Sequence, residues 1–200
     1  MPESDRSAMA SAPELNPVED PWPRLETERL ILRRWRASDY AACVEMNADP
    51  EVMRHIGATG ATQSAEQATQ WLEKVEQRWS ERGFGLFAIQ VRDDATVAGF
   101  CGLSVPLFLP EILPAVEIGW RLRRSMWGRG YATEAAVAAL KWGLYSSGHD
   151  GQGCKQIVSI ADRANTASVR VMEKIGLRFE RDVVVPEGQI QAALYVIDRP

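Results

Sequence analysis

Gly128 and Gly130 stand one residue apart, where a strand-like segment gives way to a long alanine-rich helical run. The first N–H groups of a helix have no partner within the helix, and the helix dipole is positive at that end. A glycine turn has no Cβ to keep phosphate oxygens away from those N–H groups. The pattern therefore predicts a pyrophosphate site, although an ordinary helix cap can carry the same two glycines.

This turn does not match two common phosphate-binding motifs. No Gly-Lys-Ser/Thr follows the glycines, so it is not a Walker A loop. Thr133 stands where a dinucleotide fingerprint has its third glycine, and the acidic residue expected beyond a second strand is absent. The spacing alone leaves the identity of the pyrophosphate ligand open.

A carboxylate in the preceding strand is the candidate general base. Strand alternation over residues 115–122 puts Glu117 on the same face as Arg121. Desolvation raises the pKa of a carboxylate held in an apolar strand, which suits a group that accepts a proton near neutral pH. The alternatives are a surface glutamate on an edge strand and a glutamate that is paired with Arg121.

The composition disfavours several other functions. A net charge of −4 gives no basic field that would recruit nucleic acid. Three scattered cysteines and only two histidines, His55 and His149, disfavour a metal site and a cysteine nucleophile. No apolar run reaches the roughly 20 residues of a membrane span, and no secretory signal opens the sequence. We therefore expect a cytoplasmic protein with reduced thiols, no bound metal, and no membrane or nucleic-acid partner.

The elements that must position these residues follow from periodicity and turn signals. Residues 1–23 are rich in Pro, Ser, Ala and acids and are expected to form a disordered tail before one domain over residues 24–200. Strands are predicted at 25–36, 84–91, 97–105, 115–122, 155–160, 177–185 and 190–197, and helices at 38–47, 49–55, 64–83, 131–145 and 165–175. This order predicts an α/β fold with a mixed, mostly antiparallel central sheet of about seven strands and helices on both faces.

Two apolar segments outside the strands have competing interpretations. The stripe that includes Trp71 and Trp79 in the third helix is expected to be core and not a ligand site. The loop at residues 106–114 holds three prolines and too many apolar side chains for a solvated loop. It either packs onto the domain or lines a substrate entrance.

Three ordered blocks of this sequence resemble the GNAT N-acyltransferase superfamily, and specifically its Rim-type (ribosomal-protein-alanine N-acetyltransferase-like) branch. They are residues 25–33 (LETERLILR), residues 117–135 (from EIGW to WGRGYATEA) and residues 165–177 (from NTAS to EKIGL). The resemblance extends from about residue 25 to residue 197. It implies a sheet whose central strands splay apart, and a protein that acetylates protein N-termini or small amines.

The resemblance also implies the partners and the site. The co-substrate is acetyl-CoA, the acceptor is a primary amine, and a homodimer is a further expectation. Glu117 and Ser168 are the expected catalytic residues. The expected cofactor-binding residues are Ile118, Trp120, Leu122, Arg123, Gly128, Arg129, Gly130, Tyr131, Ala132, Thr133 and Asn165. Asn165 is expected to bind the pantetheine amide, to cap a helix, or to do both.

The sequence departs from the family pattern at two positions. Ser125 stands where the superfamily has Gln or Arg, three residues before the first glycine. Met172 stands where many members have a tyrosine general acid, and Ser168 or a water is then the candidate acid. The missing phenol keeps a catalytically silent CoA-binding or sensor domain as one alternative. An acyltransferase that uses another donor, such as succinyl-CoA, is a second alternative.

Overall fold

The computed structural model describes residues 23–145 and 152–200. Its strands are β1 (Leu25–Glu26), β2 (Leu30–Arg33), β3 (Leu86–Val91), β4 (Val97–Ser104), β5 (Glu117–Leu122), β6 (Gln156–Asp162), β7 (Arg178–Val185) and β8 (Ile190–Asp198). Its α-helices are α1 (Tyr40–Ala48), α2 (Pro50–Met53), α3 (Ala65–Arg82), α4 (Tyr131–Leu144) and α5 (Thr166–Lys174). The predicted tail, apart from residue 23, and most of the predicted turn at 146–153 lie outside the described residues.

One sheet of eight strands runs through the described part of the chain, in the order β1-β2-β3-β4-β5-β6-β8-β7. Every neighbouring pair is antiparallel except β5 and β6, which are parallel. The predicted mixed, mostly antiparallel α/β fold is thus confirmed. None of the helices within these residues is long and apolar enough to cross a membrane.

The prediction of one strand over residues 25–36 was wrong. The N–H of Thr27 donates to the carbonyl of Leu30 at 3.0 Å, and the Leu30 N–H donates to Thr27 Oγ1 at 2.9 Å. These bonds close a tight turn that folds β1 back onto β2, with Leu25 opposite Leu32. The sheet therefore has eight strands instead of about seven, because the hydroxyl of Thr27 accepts a backbone hydrogen bond that closes a turn inside the predicted strand.

Of two side-chain caps that the sequence predicts, the structure has the one at α3 and lacks the one at α1. Ser64 and Gln67 form a reciprocal capping box at the start of α3, as their spacing predicts. Ser38 and Asp39 are the residues that the sequence predicts as the cap of the helix that ends near Asn47, but Asp39 does not cap α1 with its side chain. Its carboxylate instead accepts from the Arg36 N–H at 2.8 Å and from the Arg33 guanidinium at 2.7 Å, in a buried ion pair.

Helices cover both faces of the sheet. On one face, Asn47 of α1 accepts a hydrogen bond from Arg121 of β5. On the other face, Gly143 of α4 lies against Leu103 of β4 and Ile157 of β6, so closely that a Cβ on that glycine would come within 3 Å of each. Alternate residues of β5 therefore face different helices, as strand alternation predicts.

The parallel pair at the middle of the sheet is splayed. β5 and β6 are in register only at Glu117 and Val158. The Val158 N–H donates to the Val116 carbonyl at 2.9 Å, and Ser159 Oγ then donates to the Ile118 carbonyl at 2.9 Å. Beyond this point the two strands diverge, which confirms the expected splay and leaves one edge of β5 available to a ligand.

Candidate active site

Two cavities meet at the splay. The first, which we call the helix-end groove, has a volume of about 480 Å³ and lies along β5, the glycine turn and the N-termini of α4 and α5. The second, which we call the aromatic cleft, has a volume of about 410 Å³ and is walled by Trp71, Phe100, Phe108 and Trp120. His55, Ile56, Trp120, Arg121, Asn165 and Ser168 line both cavities. The two cavities therefore adjoin at these residues, where molecules bound in each would come closest.

The glycine turn leaves the start of α4 open to a ligand. Gly130 is the N-cap residue, with a left-handed φ of 79°, and no side chain caps the helix. The first-turn residues Tyr131, Ala132 and Thr133 line the helix-end groove. Because their N–H groups have no acceptor within the helix, this end can bind an anion such as a pyrophosphate.

A carboxylate holds the glycine turn against the first strands. Glu134 accepts from Thr27 Oγ1 at 2.7 Å, from the Arg29 N–H at 2.9 Å and from Arg29 Nε at 2.7 Å. Partial burial opposes ionisation of Glu134, but Thr27 and Arg29 hold the pKa of its carboxyl below the usual range. The Arg29 guanidinium also donates to the Arg129 carbonyl at 3.0 Å. Two of the three blocks that carry the family resemblance are thus in direct contact.

The start of α5 is capped by Asn165. Its Oδ1 accepts from the N–H of Ser168 at 3.1 Å, so the cap predicted for this residue is present. The cap uses only the oxygen of the amide, and Asn165 also lines both cavities. Met172, one turn of α5 beyond Ser168, is buried and lines the aromatic cleft, at the position where the resemblance led us to look for a phenol.

Glu117 lies at the base of the aromatic cleft. It is the first residue of β5, opposite Ser104 of β4, and is 9% exposed. Burial raises the pKa of its carboxyl to about 8, although hydrogen bonds from Ser104 Oγ, at 3.4 Å, and from the Ile160 N–H act in the opposite direction. Neither alternative for Glu117 holds, because β5 is a central strand and Arg121 bonds to Asn47 instead.

Most of the expected cofactor-binding residues come together in the helix-end groove. Those that line it are Trp120, Leu122, Gly128, Gly130, Tyr131, Ala132, Thr133 and Asn165. Three others do not line it. Ile118 is fully buried, the Arg123 guanidinium pairs with Glu45, and Arg129 presents its carbonyl to Arg29. The roles of all eleven residues stay predictions.

The sequence analysis missed a pair that spans the splay. His55 Nδ1 lies 2.9 Å from Asp162 Oδ2, although 107 positions separate the two residues. Partial burial opposes ionisation of Asp162, but the Ala164 N–H and the His55 ring keep the pKa of its carboxyl below the usual range. No local sequence pattern connects a loop after a short helix with the end of a distant strand, so nothing in the sequence indicated this pair.

Two cations on α5 were also missed. Arg170 and Lys174 line the helix-end groove, one turn apart on the helix. Their spacing of four residues places them on one face, which a helical projection of residues 166–174 shows.

Within the described residues, no group of three His, Cys, Asp or Glu side chains could hold a metal ion.

The apolar stripe of α3 and the loop at residues 106–114 each place some side chains in the core and others in the wall of the aromatic cleft. Trp79 of α3 is fully buried, whereas Trp71 is only partly buried and lines the aromatic cleft. In the loop at residues 106–114, Leu109 is fully buried while Phe108 is 43% exposed and reaches the cleft. The loop therefore packs onto the domain through Leu109 and lines the aromatic cleft through Phe108, and its role as a substrate entrance stays a prediction.

Comparisons with known proteins agree with this geometry. The uncharacterized protein YkkB of Bacillus subtilis is 30% identical over 163 residues, which cover 80% of this chain and 88% of that protein. The crystal structure of a GNAT-family acetyltransferase from Bacillus anthracis matches with a TM-score of 0.72 and 26% identity, covering 88% of this chain and 99% of that one. A spermidine N-acetyltransferase from Vibrio cholerae, crystallised with CoA and spermine, matches with a TM-score of 0.67 and 15% identity, covering 86% and 97% of the two chains. The acetyltransferase (GNAT) domain model matches residues 29–178, which is more than half of the sequence, and the chain therefore belongs to the GNAT acetyltransferase family.

Proposed function

We propose that this protein is an acetyl-CoA-dependent N-acetyltransferase that acts on a primary amine. The observation that supports this most directly is that the two cavities adjoin, with the buried carboxylate of Glu117 in the wall of one of them. The helix-end groove offers the open N-terminus of a helix to a pyrophosphate, and the aromatic cleft offers a buried carboxylate to an acceptor. The shared border is where an acyl group and an amine would meet.

The donor side fits a CoA thioester. The N–H groups at the start of α4 suit the pyrophosphate, and Arg170 and Lys174 supply positive charge to other phosphates. The free edge of β5 suits the amides of a pantetheine arm, with Asn165 at the far side of the splay. The Vibrio cholerae spermidine N-acetyltransferase of the same fold was crystallised with CoA, which supports this assignment.

The acceptor side fits an amine better than a hydroxyl. An alkyl ammonium has a pKa near that of lysine, about 10, so a carboxylate with a pKa of about 8 can accept its proton. In the proposed reaction Glu117 takes one proton from the ammonium, the nitrogen bonds to the acyl carbon, and the carbon–sulfur bond breaks. The nitrogen then loses its second proton to solvent. Ser168, which lines both cavities, would donate the proton that the sulfur gains and recover one from solvent.

Five further expectations stay part of this proposal. Cytoplasmic location is supported by three free cysteines, two of them buried. The disordered tail, the domain at 24–200, the Rim-type assignment and the homodimer rest on the sequence alone. The second candidate function, a silent CoA-binding or sensor domain, is favoured by the buried Met172 in place of a phenol.

A single preparation separates these functions. We would titrate acetyl-CoA by calorimetry, then add a panel of primary amines and measure both thiol release and acetylated product by mass spectrometry. Amine-dependent product with acetyl-CoA supports the proposal. Binding without turnover on any amine supports the sensor, and product with succinyl-CoA alone supports another acyl donor.

A further inference from the structure

Arg121 differs from the other enclosed arginines in its partners. Arg33, Arg34 and Arg123 each form an ion pair with a carboxylate, and their side chains are less than 20% exposed. Arg121 lies among protein groups on most sides, and its Nε is fully enclosed with no hydrogen-bond partner. In the described ranges 23–145 and 152–200, no acidic side chain pairs with it.

The groups that surround Arg121 compensate its charge only in part. One guanidinium nitrogen donates to Asn47 Oδ1, and the ring centroid of Phe100 lies 5.4 Å from the guanidinium carbon. Burial lowers the pKa of Arg121 to about 10, so the side chain remains charged at neutral pH. An amide oxygen and an aromatic ring carry no net negative charge. An enclosed cation without an anion is costly, and a ligand anion would remove that cost.

Arg121 shares the aromatic cleft with Glu117. The two residues lie on the same face of β5, four positions apart, which corresponds to about 13 Å between their Cα atoms. Gly119 lies between them on that face, and the space above it is open, since a Cβ there would meet no atom within 4 Å. The rings of Trp71 and Phe100, with centroids 5.1 Å apart, border this space. The cleft thus has a carboxylate at one end, a guanidinium at the other, and an open aromatic channel between them.

We propose that Arg121 binds a carboxylate on the acceptor, so that the preferred acceptors are primary amines with a carboxylate at the far end of a flat or apolar segment. This inference rests on the proposed N-acetyltransferase function. A carboxylate in the cleft would form a charge-assisted pair with the part of the guanidinium that lines it. The same charge disfavours polyamines, whose second ammonium group would face Arg121.

The test uses two acceptors that differ in charge and little in shape, 4-(aminomethyl)benzoate and 4-(aminomethyl)benzamide. Calorimetry on the CoA-bound protein should show that the benzoate binds about ten- to a hundredfold more tightly than the benzamide. Arg121→Met should abolish this preference, and Arg121→Lys should restore part of it. Arg178→Met is the matched control, because Arg178 pairs with Glu180 and Asp198 away from both cavities and should leave the preference unchanged.

Several outcomes would overturn the inference. Equal binding of the two probes by the natural protein does so without any variant. A preference that survives in a folded Arg121→Met protein does so as well. If Arg121→Met weakens CoA itself and both probes equally, Arg121 serves the donor and the inference is wrong. Thiol release with the two probes is recorded separately, so that a charge preference in binding without turnover refutes the proposed enzyme but not the role of Arg121.

Discussion

The helix-end groove and the aromatic cleft are built in different ways. The groove takes most of its lining from two continuous stretches, residues 120–133 and 165–174, and its main chemical groups are backbone N–H groups. The cleft takes its lining from seven separated segments, and its main chemical groups are side chains such as Glu117, Arg121 and Trp71. A ligand common to a family can be bound by main chain, whereas a ligand specific to one protein needs side chains. The groove therefore fits a shared donor, and the cleft fits the acceptor.

The largest effect is expected from a variant that removes the proposed base of the aromatic cleft and does not alter the helix-end groove. Glu117→Gln should lower kcat/KM for an amine by about 10²–10⁴ with unchanged affinity for CoA, because it removes the base. In the natural protein, turnover should rise with pH through about 8, as the carboxyl loses its proton. Above that pH the defect of the variant should shrink, since more amine is already neutral. Steady-state kinetics from pH 6 to 10, with calorimetry of CoA, measure both quantities.

Glu180→Gln is the control for this change, because Glu180 lies on β7 and pairs with Arg178 outside both cavities. It should leave the pH profile as in the natural protein. Wild-type turnover by Glu117→Gln across the whole pH range would show that Glu117 is structural and that the amine loses its proton elsewhere.

The second-largest effect is expected from a variant that blocks the proposed pyrophosphate site of the helix-end groove. Gly130→Glu should reduce the affinity for CoA roughly a hundredfold, because a carboxylate would stand beside the pyrophosphate and repel it. Gly83→Glu is a matched control. Gly83 is the C-cap of α3 and Gly130 is the N-cap of α4, and both have a left-handed φ, of 72° and 79° respectively. Gly83 lies outside both cavities. The two variants should lose similar stability in thermal unfolding, but only Gly130→Glu should bind CoA weakly in calorimetry. Equal CoA affinities would rule out the turn as the pyrophosphate site.

The smallest effect is expected from a variant of Ser168, which lines both cavities. Ser168→Ala should lower kcat about tenfold with little change in CoA affinity, because a proton donor to the departing sulfur matters mainly in the transition state. Rapid-quench measurement of acetyl transfer gives the chemical step directly. Thr166→Ala, on the same turn of α5 but outside the lining of both cavities, should behave as the natural protein. Full turnover by Ser168→Ala would leave a water as the acid.

The same contrast explains what the sequence could predict. Gly130, Tyr131 and Thr133 are consecutive or nearly so, and one helix start brings them together without help from the rest of the chain. The capping residues Ser64 and Asn165 were predictable for the same reason, since each bonds to a backbone group three residues away.

Residues that meet only through the tertiary fold were not predictable. The contact of His55 with Asp162 depends on where the loop after α2 crosses the splay, and the contact of Arg121 with Asn47 depends on how α1 lies on the sheet. Strand alternation placed Arg121 on the face of Glu117, but only the packing of α1 shows which groups surround it. The extra strand was missed because the side chain of Thr27 closes a turn in a segment that otherwise alternates.

The single point of register between β5 and β6 has a mechanical consequence. Glu117 and Val158 are where the two halves of the sheet join, and the strands diverge from there. For any rotation of one half relative to the other, atoms move in proportion to their distance from the pivot. Glu117 lies at that pivot, while His55 and Asp162 connect the two sides further out along the opening. A rotation about this point would therefore change the width of the mouth of the splay while it displaced the Glu117 carboxylate much less.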